Sequence, residues 1–367
     1  MTVFLILFIL TLFVVELFSI KAALKGISYD YTFSKQLIEA EETTELISSV
    51  TNESRRFVPF VRMVESLPTG TRPINENVFI RKNSMGLDYL HYDSTLYLMS
   101  RSRLKRTLAL TFKQRGRYVF GGANLRGGDF LGINEKRKDF KQLKELIVYP
   151  KLIRTPALEQ IIGGFIGDVS VRRFIMEDPI LTIGTRPYTG KEPLKQLSWK
   201  HTARTNQMMV KQYDYTTEMI VTVFLDISVA AGITTTFEQM EAAYGLARTV
   251  MTALNNKKIP FEFITNAKMN GRDEQISPMS SNLGPQHMRY ILELLGRGSY
   301  ETHQTYEQML VNMAEGQHSQ NRSTVIIMPA IALEKERMAQ QLLNQTSGPL
   351  LFLHGETVVE EGEHGVH

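Results

Sequence analysis

The chain has 367 residues, 43% hydrophobic and 22% charged, a globular balance with length enough for two domains of ordinary size. Its 42 Lys and Arg against 38 Asp and Glu give a formal net charge of +4, too little to imply nucleic-acid binding without a concentrated patch. With no cysteine it can have no disulfide framework, no thiolate zinc site and no cysteine nucleophile.

Residues 2–20, TVFLILFILTLFVVELFSI, form an apolar run. As a helix rising about 1.5 Å per residue it approaches the roughly 30 Å of a bilayer core. The run lacks a basic n-region, is longer than a usual signal-peptide core and precedes a poor cleavage site, so a transmembrane anchor over 1–25 is expected in preference to a cleaved leader. Glu16 lies near its C-terminal end, where a side chain reaches the interface. Lys21 and Lys25 follow the span and no basic residue precedes it, which predicts a single-pass protein of the cell membrane with cytoplasmic soluble domains. That expectation brings with it a lipid bilayer contact through residues 2–20 and other membrane proteins as neighbours.

From 26 to 152 short β-rich runs such as ELISSVTN, FVPFVRMVES, TLALTFKQ, GRYVFGG and ELIVYP, broken by turn signals, predict an antiparallel β-sandwich. The paired glycines at Gly121 and Gly127 read as turn punctuation, because no P-loop lysine and hydroxyl pair follows them. Residues 153–215 are expected to connect two domains, with a short helix at ALEQIIGGF. Over 216–355, strands predicted at 219–227, 259–265, 324–328 and 350–353 alternate with helices at 236–256, 285–295, 302–314 and 332–344. Such alternation implies a mainly parallel sheet covered by helices. Residues 356–367, acidic and glycine-containing, are expected to be a flexible tail.

The segment 184–213, GTRPYTGKEPLKQLSWKHTARTNQMMVKQY, holds the chain's one tryptophan among several cations. Trp, Tyr and Arg are the enriched anchors of protein interfaces, so Arg186, Tyr188, Trp199, Lys200, Arg204 and Lys211 are expected to form a partner interface. A nucleic-acid groove using His201 and Tyr213 as well ranks below it, and no nucleic-acid partner is expected.

Arg186, Tyr188, Gly190, Trp199, Lys200, Thr202, Ala203, Arg204, Met209, Val210, Lys211 and Tyr213 together resemble the signature of a prokaryotic family known as domain of unknown function 58. The resemblance extends over residues 27–300 and takes in Arg115 to Tyr118 and Asp129-Phe130. It departs at one place, where the family's Gly-Asp is Gly190-Lys191 with Glu192 beside it. The resemblance implies an α+β multidomain class: an N-terminal transmembrane helix, an antiparallel β-sandwich, then a von Willebrand factor A-like α/β domain. Family members are commonly encoded beside MoxR-type AAA+ ATPases. A membrane-anchored, non-enzymatic adaptor or scaffold is therefore implied, working with such an ATPase in assembling or remodelling membrane or envelope complexes.

In open α/β sheets ligands bind beyond the carboxyl ends of the strands, and the loop after 219–227 carries Asp226 and Ser228. A von Willebrand factor A-like domain has D-x-S-x-S here, whose oxygens hold a hard cation. In this chain the third position is Ala230, and the later strand STVIIMPA brings Pro329 and Ala330 where another aspartate would stand. Asp226 and Ser228 are thus expected to be an incomplete, unoccupied metal site, with loop or helix capping as their ordinary role. No cofactor is expected, magnesium being the ion the pair would suit. The eight histidines are scattered, without HExxH, G-x-S-x-G or a Walker loop. The competing reading is a metal-dependent hydrolase or nuclease that uses Asp226 with Asp178 or Asp273.

Overall fold

The computed structural model describes residues 4, 7, 11, 24–74, 79–82, 88–128, 135–175, 182–190, 192–213, 220–230, 232–271, 281–316, 322–343 and 348–364. The chain divides into two compact units, Met1–Lys151 with Leu292–Arg297, and Leu152–Ile291 with Gly298–His367.

In the first unit, period-two patterning drives strand formation. Ile27–Phe33 alternates buried and exposed residues, which sends Ile27, Tyr29, Tyr31 and Phe33 to one face. It pairs antiparallel with Thr44–Asn52, which pairs with Ser102–Phe112 and through it with Thr71–Pro73. A second antiparallel sheet runs Glu135–Phe140, Ala123–Gly128, Val58–Pro68, Asp88–Leu98, Phe79–Lys82. A smaller sheet joins Leu37–Glu39, Lys144–Tyr149 and Gly116–Phe120. Residues of all three sheets, among them Leu46, Met63, Leu110, Leu125 and Leu146, share one apolar core.

One polar tie crosses that core. The Glu65 carboxylate, 2% exposed, accepts hydrogen bonds from the Tyr29 hydroxyl at 2.6 Å and from the Ser48 hydroxyl. Burial, with the adjacent Glu65 charge, pushes the Tyr29 phenol well above its ordinary value, so it stays a donor.

The second unit centres on a four-stranded parallel sheet ordered Phe261–Thr265, Ile220–Leu225, Arg322–Met328, Leu350–His354. The first three of these strands are buried almost throughout, as strands covered on both faces must be. Helix Phe237–Asn256 begins with a capping box in which Thr236 and Gln239 satisfy each other's backbone N–H groups. Helices Tyr306–Gly316 and Leu333–Leu343 bury Tyr306, Leu310, Ala339 and Leu343 with Phe224 and Ile326, and the Phe224 and Tyr306 rings stack at 5.7 Å.

His287, in the first turn of helix Pro285–Arg297, packs its buried ring edge-on to Phe261 at 4.9 Å. Burial holds the imidazole below its ordinary value, the Phe261 backbone acting in the opposite sense. The neutral form is therefore favoured on folding, and a cation at a helix N-terminus is unfavourable as well. Stability from this group is complete above the unfolded value, about 6.5, and declines as pH falls below it. Denaturation of wild type and His287→Leu at about pH 7.5 and about pH 5 should show a steeper acid loss in wild type. Equal losses would remove the histidine from the account.

Several expectations are corrected. Among the described residues no helix is long and apolar enough to cross a membrane. Of residues 2–20 only Phe4, Leu7 and Thr11 are described, and the rest of the expected anchor lies outside the described residues. The two described 20-residue helices have the length to cross but not the composition. Pro156–Ile175 carries Glu159, Asp168, Arg172 and Arg173, and Phe237–Asn256 carries Glu238, Glu241 and Arg248. A single-pass protein of the cell membrane with cytoplasmic domains is not supported.

The expected fold class is overturned as well. Among the described residues pairing is mostly antiparallel and spread over six sheets, several of them small. In the C-terminal half, Thr182–Pro187 with Met209–Tyr213 and Ala267–Met269 with Gly298–Thr302 form separate antiparallel ribbons. Residues 356–364, expected in a flexible tail, belong to helix Gly355–His364. That helix needs glycine at its start, because a Cβ on Gly355 would collide with the Gln239 carbonyl.

Candidate partner interface and the Asp226 centre

All six residues expected at a partner interface lie on one antiparallel ribbon and the segment it encloses. Thr182–Pro187 pairs with Met209–Tyr213, Arg186 opposite Val210. Between them come a turn of 3-10 helix, Leu194–Gln196, and the short helix Trp199–Thr205. The backbone of this insert is pinned at several points. Ser198 N–H donates to the Met209 carbonyl at 2.8 Å, Met209 N–H to the Thr202 hydroxyl at 3.0 Å, and Tyr188 N–H to the Met208 carbonyl at 2.8 Å. Leu197, Ser198 and Val210 are buried beneath it, and Asn206 ends the helix in the left-handed conformation.

Against that fixed backbone the side chains point outward. Trp199 is 66% exposed and Leu194 67%, with Met208 also exposed. Arg186, Lys200, Arg204 and Lys211 are exposed and Tyr188 is half-buried. Arg186 is committed to Glu192 at 2.6 Å. Glu192 also accepts from the Thr189 hydroxyl at 2.7 Å and the Thr189 N–H at 3.1 Å. Hydrogen bonds from Thr189 and the Arg186 ion pair lower its carboxyl to about 2. The acid beside Gly190, which adopts φ +90°, is therefore Glu192 among the described residues, and it ties the loop to the strand. Lys191 lies outside the described residues.

The single tryptophan makes this geometry measurable. Lys200 and Arg204 flank Trp199, so iodide should quench its fluorescence more strongly than caesium does, with the difference shrinking as salt is raised. Equal quenching by both ions would contradict a cationic, exposed setting.

Asp226 follows strand Ile220–Leu225 and is fully buried. Its Oδ1 accepts from Ser228 N–H at 2.9 Å, Ser228 Oγ at 2.6 Å and Asn266 Nδ2 at 2.6 Å. Its Oδ2 accepts from Lys335 Nζ at 2.7 Å. Asn266, the residue after strand Phe261–Thr265, also takes the Ile227 N–H at 2.9 Å. The carboxylate thus has a partner on each oxygen.

Asn266 and Lys335 were not expected from the sequence. The strand-end rule that points to Asp226 points equally to Asn266. Lys335 sits in an ordinary-looking amphipathic helix, and no spacing signals that it reaches a residue 109 positions away. Asp178 and Asp273, the carboxylates of the competing hydrolytic reading, lie outside the described residues. Among the described residues no group of three or more His, Cys, Asp or Glu is placed to hold a metal ion.

No protein-family model matches the chain, and no curated protein matches it. Among solved structures it is similar to the CARDB domain of a Pyrococcus furiosus protein in complex with di-metal ions, with 16% identity over 33% of this chain and 91% of that one, at a TM-score of 0.22. It is also similar to a cohesin module from a family 33 glycoside hydrolase of Clostridium perfringens, with 14% identity over 34% and 96% and a TM-score of 0.21. Likenesses at these scores carry no argument about function. The von Willebrand factor A-like domain expected from the sequence is set aside on the strand pairing, which among the described residues is mostly antiparallel and spread over several small sheets.

Proposed function

We propose that this protein is a non-enzymatic adaptor or scaffold that binds another protein through the Trp199 ribbon. The observation that carries the reading is an aromatic side chain 66% exposed directly beside Leu197 and Ser198, which are buried and hydrogen-bonded in place. A large, two-torsion side chain on a fixed backbone loses little freedom on binding, and Trp with neighbouring Arg is the usual composition of an interface hot spot. The MoxR-type AAA+ ATPase is the partner implied by the resemblance to the domain of unknown function 58 family. Membrane attachment is no part of this reading. The engagement of both Asp226 oxygens supports a structural over a hydrolytic role for that residue.

Affinity purification of the native chain with and without ATP and magnesium, followed by mass spectrometry, tests the proposal. An AAA+ ATPase recovered with wild type and lost with folded Trp199→Ala is the expected outcome. Recovery of the same ATPase with both would place its contact elsewhere, and its absence from both would count against the adaptor role.

A further inference from the structure

At the carboxyl end of strand Ile220–Leu225 an ammonium group does the work of an ion. Lys335 Nζ lies 2.7 Å from Asp226 Oδ2, 2.8 Å from Ser228 Oγ and 2.6 Å from the Ser228 carbonyl oxygen, three oxygens for its three N–H donors. The Tyr306 ring stands 5.0 Å from Nζ, and Lys335 is 9% exposed. Asp226 Oδ1 is held separately by Ser228 and Asn266. The Ser228 hydroxyl directs its proton to Asp226 while every amine hydrogen is spent on oxygen, so the pair lacks the geometry of a lysine taking a proton from serine.

We propose that Lys335 is a tethered cation filling an oxygen cup that would otherwise hold a hard divalent ion. A carboxylate, a hydroxyl and a backbone carbonyl are donor types that such ions take, with water completing the shell. The lysine supplies the positive charge covalently, so the loop from Asp226 to Ala230 keeps its conformation without an ion from solution. This inference concerns a different site from the Trp199 ribbon and stands independently of the adaptor reading. It makes any recognition at this end of the sheet indifferent to chelators.

The test is Lys335→Ala followed with Mn2+ by electron paramagnetic resonance and by thermal melting. Wild type should bind no Mn2+ at millimolar concentration and melt at the same temperature with Mn2+ or chelator. Lys335→Ala should melt lower, bind Mn2+ at least about tenfold more tightly than wild type, and regain melting temperature with Mn2+ or n-butylammonium. Adding Asp226→Asn should abolish that binding. Mn2+ binding by wild type equal to that of the variant would overturn the proposal, and so would a folded Lys335→Ala that binds no more Mn2+ than wild type. A Lys335→Ala chain that neither Mn2+ nor n-butylammonium restores to the folded state would overturn it too, because the inference requires a free cation to replace the tethered one.

Discussion

Lys335→Met should lower the stability of the second unit by about 3–5 kcal/mol, the cost of leaving one partner of a buried ion pair uncompensated. The Asp226 side chain is fully buried and its Lys335 partner nearly so. Methionine keeps the apolar stem in place and removes only the charge and its three donors. Ser228 and Asn266 still donate to Oδ1, whereas Oδ2 loses the Lys335 ammonium that donates to it at 2.7 Å. In the double variant Asp226→Asn with Lys335→Met no buried charge is stranded. Its loss should therefore be smaller than the sum of the single losses, by about 0.5–3 kcal/mol. Urea denaturation of the four proteins measures both quantities. A Lys335→Met loss under about 1 kcal/mol would mean that the pair behaves like an exposed one.

Trp199→Ala should act in the opposite way, on binding and not on folding. Truncating a central aromatic anchor costs about 2–4 kcal/mol of binding, or roughly 30- to 700-fold in affinity. Because the side chain is already 66% exposed, little burial is lost when it is removed from the free protein, and the unfolding midpoint should stay nearly unchanged. Charge reversal at Lys200 and Arg204 should instead slow association and flatten its salt dependence, since both lie exposed around the anchor. Loss of stability together with binding would make Trp199 a folding residue and remove it from the interface.

The parts of this structure legible in the sequence are those whose chemistry is dense or locally periodic. Arg186, Trp199 and Lys200 stand out by residue type, and they share one ribbon because Leu197, Ser198 and Val210 bury the backbone that carries them. Asp226 and Ser228 follow from their place at a strand end. Lys335 and Asn266 were hidden because their contacts join residues 109 and 40 positions away from Asp226, a relation that spacing does not encode. Strand Gly298–Thr302 was missed because the helical periodicity of the residues after it was carried back to 302, while the helix begins at Tyr306. Acidic composition made 356–367 read as a tail, yet close approach at Gly355 seats helix Gly355–His364 against Gln239. The anchor over 2–20 rested on hydropathy, length and the character of its flanks, and the von Willebrand factor A-like expectation on resemblance and strand–helix alternation, neither of which specifies how strands pair.

The most direct test of the adaptor reading uses the fact that the chain has one tryptophan. Incorporating 5-fluorotryptophan gives a single 19F resonance that reports on Trp199 and on nothing else in this protein. Addition of a purified MoxR-type AAA+ ATPase with ATP and magnesium should shift or broaden that resonance, and the change should titrate with the ATPase. A sharp, unmoved resonance in the presence of ATPase independently shown to be bound would contradict the claim that Trp199 is the docking residue.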